Sequence, residues 1–296
     1  LFLILFFTTT AKAQKEAETF NVDSTLYEYY QRCQEYLLEP VVLNMSDTLF
    51  RMAGERQDER MQAVAIATQL DYYYFQGTNE DSVIHYTNKV KEFAKATHQP
   101  KYYYFAWANR LITYYLKTSR TNIALYEVQN MLKEAQEEDD KTGLSRCYNI
   151  MSQIYTIKRF DSMAFEWRLK EIELTEKYKI ENYNISKTYA QIANYYINQK
   201  KQKEALAAVE KAIATANSST QQISAKLEFV NYYSKFGDFQ AAEKLLKECQ
   251  AAFEQDKRLE SIKKRLYNIE CLYYQQTNNI RKRWKPQRCR KKKNVV

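Results

Sequence analysis

The sequence has few residues that interrupt helices, with only 4 Gly and 3 Pro among its 296 residues. Parallel sheets and β-sandwiches need many tight turns, and tight turns depend on those two residue types. Residues that favour helices, such as Ala, Glu, Lys, Gln and Leu, are abundant instead. The composition therefore disfavours the β-rich classes and predicts an all-α chain.

The sequence also lacks the short patterns that mark common catalytic and metal sites. It contains no GxSxG, HExxH, P-loop or GxGxxG pattern, and His85 and His98 belong to no such constellation. The acidic run at 137–140 lacks the spaced ligands and the Gly of a calcium loop, so we interpret it as a solvated helix end. The sequence thus predicts a protein that is not an enzyme, with no catalytic residue, no cofactor and no metal.

The cysteines show neither metal spacing nor a disulfide framework. Their number is odd and their separations are wide, so we expect small buried thiols. The five residues are Cys33, Cys147, Cys249, Cys271 and Cys289.

The formal net charge of +9 comes from one end of the chain. Residues 280–296 hold nine bases and no acid, and the other 36 bases balance the 36 acids. Without these last residues the chain has no overall basic field, so nucleic acid is not an expected partner of the rest.

The most prominent feature that is present is a recurring pair of tyrosines. The second members follow one another at steps of 41, 40, 41, 37 and 41 residues, which predicts a repeat array. The pairs are Tyr73-Tyr74, Tyr114-Tyr115, Ile154-Tyr155, Tyr195-Tyr196, Tyr232-Tyr233 and Tyr273-Tyr274.

A second marker lies nine residues after each of the first five pairs. Four of its members are Ala and one is Val, small enough for two helices to cross closely: Val83, Ala124, Ala164, Ala205 and Ala242. The two markers predict alternating helices joined by short connections, which force neighbouring helices to be antiparallel. First helices are expected at about 58–77, 101–118, 142–158, 182–199, 220–236 and 257–277. Second helices are expected at about 80–97, 121–138, 161–179, 202–217 and 239–253, after a divergent pair at 24–37 and 41–52 that ends at Gly54. We expect Asn79, Asp161 and Asp238 to cap second helices.

Two stretches resemble the tetratricopeptide repeat. One has Tyr189, Ile192, Ala193 and Tyr196 on its first helix, followed by Ala205, Val209 and Ala212. The other has Phe229, Tyr233, Gly237-Asp238-Phe239 and Ala242. The repeat at 148–171 fits less well, because Arg168 and Glu171 occupy positions where apolar residues are expected. Over residues 24–279, the resemblance implies a right-handed superhelical solenoid of antiparallel helix pairs, with a period of about 40 instead of the family's 34.

The same resemblance implies a binding surface, because first helices line a concave groove in that family. Counted back from the second tyrosine, positions two, six and nine face this groove and carry amides and bases. Amides can bind a peptide backbone, and bases can hold a carboxylate. We expect a protein or peptide ligand at these residues: Asn109, Arg146, Asn149, Gln153, Lys187, Asn194, Asn231, Arg265 and Asn268.

The first thirteen residues have the pattern of a secretory signal. Residues 1–7 are wholly apolar, and Ala11-Lys12-Ala13 gives a small-x-small cleavage site. The usual Met and basic segment are missing, so we expect a signal peptide at 1–13 that is clipped at its start. The alternative is an apolar first helix of the fold itself.

An exported array of this kind resembles the extracytoplasmic sensor region of bacterial repeat-containing signalling and transcriptional regulators. The segments 26–33 and 46–53 carry that resemblance. It implies a periplasmic or other extracytoplasmic location, with a membrane anchor in the intact full-length form. No run of 18 apolar residues occurs, so no transmembrane helix is expected in this chain.

The repeat pattern ends after residue 279, which leaves 14–279 as the helical repeat domain. Nine residues after Tyr274, the position of the small residue is occupied by Arg283. We expect residues 280–296 to be disordered or out of frame, and the alternative is a basic arm.

Two functions remain open from the sequence. The first is a non-catalytic peptide- or protein-binding module, the extracytoplasmic sensing part of a larger bacterial signalling protein. The second is a cytoplasmic scaffold whose basic C-terminal tail binds nucleic acid or an anionic membrane.

Overall fold

The computed structural model describes residues 22–77 and 79–277, and within these ranges it contains thirteen helices and no strand. The N-terminal helices are α1 (Ser24–Glu35), α2 (Val41–Glu55), α3 (Glu59–Gln76) and α4 (Glu80–Ala96). Helix α5 has three segments, namely α-helical Pro100–Ala106, π-helical Trp107–Ile112 and α-helical Thr113–Lys117. Then follow α6 (Thr121–Glu137), α7 (Lys141–Ile157), α8 (Asp161–Tyr178), α9 (Ile185–Asn198) and α10 (Gln202–Ala214). The last are α11 (Ser219–Phe236), α12 (Phe239–Gln255), a 3-10 turn (Lys257–Ile262) and α13 (Lys263–Gln276).

The predicted all-α class and the alternation of first and second helices are confirmed. In this order α3, α5, α7, α9, α11 and α13 are first helices, each bearing a tyrosine pair or its Ile-Tyr equivalent. Among the described helices, none is long and apolar enough to cross a bilayer. The expected signal peptide at 1–13, the tail at 280–296 and Cys289 lie outside the described residues.

The chain divides into two compact units, and the division falls within α8. The N-terminal unit ends at Trp167, and the C-terminal unit begins at Arg168. Each unit is built from helix pairs with its own buried apolar residues. In the N-terminal unit, Leu26, Val42 and Leu49 form a core between α1 and α2. In the C-terminal unit, Leu227, Leu246 and Leu266 join α11, α12 and α13.

The small residues of the second marker are buried, as their role in close helix packing requires. Val83, Ala124, Ala205 and Ala242 are fully covered, and Ala164 is 1% exposed. A small side chain at this point lets the second helix approach its partner, so the sequence interval of nine residues reflects a repeated contact between helices.

The repeat at 148–171, which fits the family pattern less well, has polar residues at buried positions where apolar residues were expected. Arg168 and Glu171 are both buried in the C-terminal unit. Arg168 donates from Nε to Gln191 Oε1 at 3.0 Å, and Glu171 Oε1 accepts from Asn182 Nδ2 at 3.0 Å. The two side chains therefore fill core positions through hydrogen bonds to α9 and to the connection before it.

Three cysteines are buried thiols, as expected. Burial raises the pKa of Cys33 to about 11, of Cys147 to about 12 and of Cys249 to about 11. Thiols in this state are unreactive near neutral pH. Cys271 is only half-buried.

Many helices end in the same backbone motif, and the second tyrosine of the pair occupies a fixed position in it. Arg120 N–H donates to Tyr115 O at 2.8 Å, while Ser119 N–H donates to Leu116 O at 3.2 Å. In the Schellman motif, two successive residues donate, the first to the carbonyl three positions earlier and the second to the carbonyl five positions earlier, and Tyr115 is here the third helical residue from the end. The same long-range bond ends at Tyr155, Tyr196 and Tyr233. The residue that donates it also covers the tyrosine ring, as Arg120 does at 4.8 Å and Lys201 at 5.9 Å.

These motifs require a left-handed residue, and the chain seldom uses glycine for it. Gly77 and Gly237 take positive φ, but seven other residues do so as well. They are Gln57, His98, Ser119, Asp139, Arg159, Lys179 and Lys200. We expected Gly54 to end α2, but the helix continues through it to Glu55, and Gln57 takes the left-handed position. The low glycine content is therefore compatible with many turns, because strained residues of other types make them.

Predicted caps of the second helices are confirmed at two of three positions. The Asn79 side chain accepts from Ser82 N–H at 2.9 Å, and that of Asp238 accepts from Ala241 N–H at 3.0 Å. Asp161 was expected to cap α8, but it is the first residue of the helix, so the prediction is wrong there.

Replacing Lys200 by Gly should stabilise the C-terminal unit. Lys200 has φ 57°, and a residue with a Cβ in this region costs about 1–2 kcal/mol. Part of the gain is offset by the greater freedom of Gly in the unfolded chain, so we expect a net increase of about 0.5–1 kcal/mol in the free energy of unfolding, measured by urea denaturation. Lys200→Ala keeps the strain and should change little. Gly237→Ala should destabilise the protein through backbone strain, because φ is 90° there. A clash is not involved, since a Cβ at this position meets no other atom within 4 Å. An equal effect of Lys200→Gly and Lys200→Ala would contradict the strain argument.

Candidate functional site

All nine residues predicted to line the groove lie on first helices. Asn109 is on α5, and Arg146, Asn149 and Gln153 are on α7. Lys187 and Asn194 are on α9, Asn231 is on α11, and Arg265 and Asn268 are on α13. The four N-terminal residues are half-buried, Asn231 is buried, and Lys187 and Asn268 are exposed. Whether these residues bind a peptide stays a prediction.

In the N-terminal unit, α5 and α7 approach closely because α7 has a glycine at the contact. Three ring carbons of Tyr104 lie 3.0 Å from the position that a Cβ on Gly143 would occupy. Tyr104 is fully buried and donates its hydroxyl to Glu138 Oε2 at 2.9 Å. Burial and this carboxylate raise the pKa of Tyr104 far above its ordinary value, so the hydroxyl remains a donor. The tyrosine therefore fixes the distance between the two helices.

The middle of α5 is π-helical, and this segment carries Asn109 and Arg110. The Thr113 hydroxyl donates to the carbonyl of Ala108, five residues earlier, at 2.9 Å. Short π-helical segments are uncommon and often occur at functional sites. Here the segment contacts both α3 and α7.

Arg110 joins α5 to α3 through an ion pair surrounded by rings. Its guanidinium binds Asp71 through two nitrogens, with Nη2 3.0 Å from Oδ2, and each side chain is 17% exposed. The guanidinium carbon lies 5.0 Å from the ring centre of Phe105, 5.1 Å from that of Tyr74 and 5.8 Å from that of Phe75. A bidentate pair of this kind is neutral overall and holds both helices in register.

Arg146 of α7 contacts the ring of Phe105, which Arg110 also contacts. Its guanidinium carbon is 5.5 Å from the ring centre of Phe105, and its buried Nε has no hydrogen-bond partner. Burial lowers the pKa of Arg146, an effect that Asp140 partly opposes. Further along α7, Gln153 Nε2 donates to Asn149 Oδ1 at 2.7 Å. One face of α7 thus carries a guanidinium and two amides in a row.

In the C-terminal unit, the predicted residues converge on a carboxylate that sequence reasoning missed. Glu228 of α11 is buried, and its Oε1 accepts from Arg265 Nη2 at 2.5 Å. Its Oε2 accepts from Asn194 Nδ2 at 3.4 Å and from Asn231 Nδ2 at 3.3 Å. Glu228 therefore connects the first helices α9, α11 and α13. Three residues expected to bind a ligand also have this internal role.

A signal for Glu228 was present in the repeat. It lies five residues before the second tyrosine, a position not included among the predicted groove positions. Four of the six repeats are polar there, with Gln69, Arg110, Gln191 and Glu228. In each case the side chain is hydrogen-bonded to another helix. The same register that selected the groove residues would have found Arg110 and Glu228.

The acidic run at 137–140 has structural roles. Glu138 Oε1 accepts from Lys95 Nζ at 2.9 Å, and Asp140 caps α7 by accepting from Gly143 N–H at 2.7 Å. Across the described residues, no cluster of three or more His, Cys, Asp or Glu side chains could hold a metal ion.

Removing the Glu228 carboxylate should destabilise the C-terminal unit. Glu228→Ala leaves Arg265, Asn194 and Asn231 without their shared acceptor, and we expect a loss of about 3 kcal/mol in the free energy of unfolding. Urea denaturation followed by circular dichroism measures it. The control is Glu243→Ala, which removes an exposed pair with Lys247 at 2.8 Å and should have almost no effect. Equal losses in both variants would show that Glu228 does not hold the first helices together.

Several solved structures share the fold at low sequence identity, whereas no protein-family model and no curated protein matches the sequence. BtubC from P. vanneervenii is 14% identical, with a TM-score of 0.56 over 78% of this chain and 93% of that one. The apo form of the quorum sensor NprR from B. thuringiensis is 13% identical, with a TM-score of 0.53 over 93% and 78%. A signal transduction ATPase with a tetratricopeptide repeat sensor from Pyrococcus horikoshii is 15% identical, with a TM-score of 0.54 over 86% and 42%. The chain therefore has the fold of the tetratricopeptide-like helical-repeat proteins and resembles in fold the sensor regions of signalling proteins.

Proposed function

We propose that this chain is a non-catalytic module that binds a peptide or protein segment along the first helices of its N-terminal unit. The observation that carries the proposal is the face of α7 beside α5, where Arg146, Asn149 and Gln153 follow one another at helical spacing. All three are half-buried, so each keeps some surface open to a ligand. The π-helical segment with Asn109 lies next to this face.

The chemistry of this face suits an extended peptide. An amide side chain offers a donor and an acceptor, which match the carbonyl and N–H groups of a peptide backbone. The rings of Phe105 and Phe75 add apolar surface, and Phe75 is 48% exposed. One neighbour in fold, NprR, is described as a quorum sensor, and another as a signal transduction ATPase with a tetratricopeptide repeat sensor. Both descriptions include a sensor, which supports a binding role.

Removing the amides should weaken peptide binding. A display library of random short peptides supplies probes that the wild-type chain retains. In the double variant Asn109→Ala and Gln153→Ala, we expect about a tenfold or greater loss of affinity for these probes, the effect of losing one or two hydrogen bonds. Fluorescence anisotropy measures it. Gln129→Ala is the matched control, because Gln129 is an exposed amide on the second helix α6 and belongs to none of the predicted groove positions, so this variant should bind normally. A library with no retained peptide, or equal affinity in all three proteins, contradicts the proposal.

The module would act outside the cytoplasm, as the sensing part of a larger bacterial signalling protein. The sequence supports this location through the apolar residues 1–7 and the site Ala11-Lys12-Ala13. A sensor of this kind would read a peptide outside the cytoplasm and pass the signal to an output domain elsewhere in the protein.

Export can be tested with an alkaline phosphatase reporter. Residues 1–277, placed behind a start codon and two lysines, are fused to the enzyme, which is active only after export. We expect phosphatase activity and a mature N-terminus at Gln14, determined by N-terminal sequencing. Leu3→Arg combined with Leu5→Arg interrupts the apolar run and should abolish both. An inactive fusion that retains residues 1–13 would contradict an extracytoplasmic location.

A further inference from the structure

A cavity of about 70 Å³ lies between α2, α3 and α4 of the N-terminal unit. One part of its lining is apolar and includes Phe50, Ala65 and Ile66. Another part is polar and includes Asp47 of α2, Gln69 of α3 and Lys89 of α4. Asp47 and Lys89 are exposed, so the cavity can be reached from solvent on its polar side.

Gln69 connects the two charged residues of this lining. It is 4% exposed, and its Nε2 donates to Asp47 Oδ1 at 2.6 Å. Its Oε1 accepts from Lys89 Nζ at 3.3 Å. The donor of the amide faces a carboxylate and its acceptor faces an ammonium group, so these two neighbours determine its orientation. A buried amide of α3 therefore holds a negative group at one end and a positive group at the other.

Asp47 and Lys89 keep hydrogen-bonding capacity for a ligand. Within the part of the chain that the structure describes, neither forms an ion pair with the other or with another side chain. The carboxylate has a second oxygen, and the ammonium group has further N–H donors. Lys89 Nζ lies 5.4 Å from the ring centre of Tyr86, and this ring is stacked on Tyr73 at 5.2 Å. Two opposite charges are thus positioned beside one cavity without neutralising each other.

This arrangement matches the groups of an α-amino acid. Such a molecule carries an ammonium group, a carboxylate and a side chain on one carbon atom, whereas a residue within a peptide lacks both charges. Hydrogen bonds between charged partners are shorter and stronger than neutral ones. An apolar cavity of about 150 Å³ holds a benzene ring, so the smaller cavity here suits an apolar group of about three or four carbon atoms.

We infer that this cavity binds a free α-amino acid with a small branched side chain, such as valine or leucine. The ammonium group of the ligand donates to Asp47, and its carboxylate accepts from Lys89. Its side chain lies against the apolar part of the lining. The site is independent of the proposed peptide-binding face, because none of its residues is among the nine predicted to line the groove.

The test is isothermal titration calorimetry of the full chain with L-valine, added to about 10 mM so that a dissociation constant near about 1 mM is detected. Each of four analogues changes one feature of the ligand. N-acetylvaline lacks the ammonium group, valinamide lacks the carboxylate, glycine lacks the side chain, and tryptophan has a side chain that is too large. Circular dichroism gives the unfolding temperature with and without valine.

The variants Asp47→Asn and Lys89→Met each remove one charge from the site. Both side chains are exposed, so we expect both variants to fold. The control is Glu92→Gln, which removes the charge of an exposed acid on α4 that does not line the cavity. If a variant is unstable, the analogues measured on the wild-type chain still decide the question.

We expect wild type to bind valine at least about tenfold more tightly than each of the four analogues, since each lacks a charge-assisted hydrogen bond or the apolar contact. Asp47→Asn should bind valine and N-acetylvaline equally weakly, and Lys89→Met should do the same for valine and valinamide. Glu92→Gln should bind valine as wild type does. Bound valine should raise the unfolding temperature of wild type, because it stabilises the folded state.

Four results would overturn the inference. If valine produces neither heat nor a higher unfolding temperature, the cavity binds no amino acid. If N-acetylvaline and valinamide bind wild type as tightly as valine, the two charges have no part in recognition. If glycine binds as tightly as valine, the side chain does not enter the cavity. If Glu92→Gln weakens binding as much as Asp47→Asn, the effect comes from the net charge of the surface.

Discussion

The turn that closes most helices is the constraint on which the stack depends. A left-handed residue lets one N–H reach back five positions, and the chain reverses within a few residues. The second tyrosine provides the carbonyl in four first helices, and its ring is covered by the next side chain in at least three of them. Because one residue serves both the turn and the packing, its spacing is also the spacing of the helix pairs. The period of the sequence is therefore the interval between the ends of successive first helices.

The polar side chains on first helices differ in how fully they are hydrogen-bonded. In the C-terminal unit, Glu228 accepts hydrogen bonds from Arg265, Asn194 and Asn231, although Arg265 Nε is buried without a partner. In the N-terminal unit, Arg110 is paired with Asp71, whereas Arg146 contacts the ring of Phe105. Arg146 and Arg265 occupy the same repeat position, nine residues before the second member of the pair, so equivalent positions of the two units differ in whether the base is paired with a carboxylate.

The sequence predicts the fold well because its signals are local and repeated. Tyrosine pairs, small residues and caps such as Asn79 place the helices to within a few residues. The site is harder to predict. No sequence pattern predicts the π-helical segment that contains Asn109 and Arg110. The burial of Glu228 depends on hydrogen-bond partners up to 37 residues away in the sequence. Left-handed residues such as Lys200 also escape prediction, because the side chain there disfavours the conformation that the turn imposes.

Gly143 makes the geometry of α7 resistant to evolutionary change. Since the ring of Tyr104 fills the space beside it, any side chain at this position would force α7 away from α5. Such a change is selected against for its effect on packing, whether or not a ligand is present. Arg146 lies one turn later on the same helix, and its guanidinium contacts the ring of Phe105 at 5.5 Å, while among the described residues no close packing like that at Gly143 fixes its size. A substitution at position 146 would therefore change the side chain that α7 presents at this place without moving the helix that presents it.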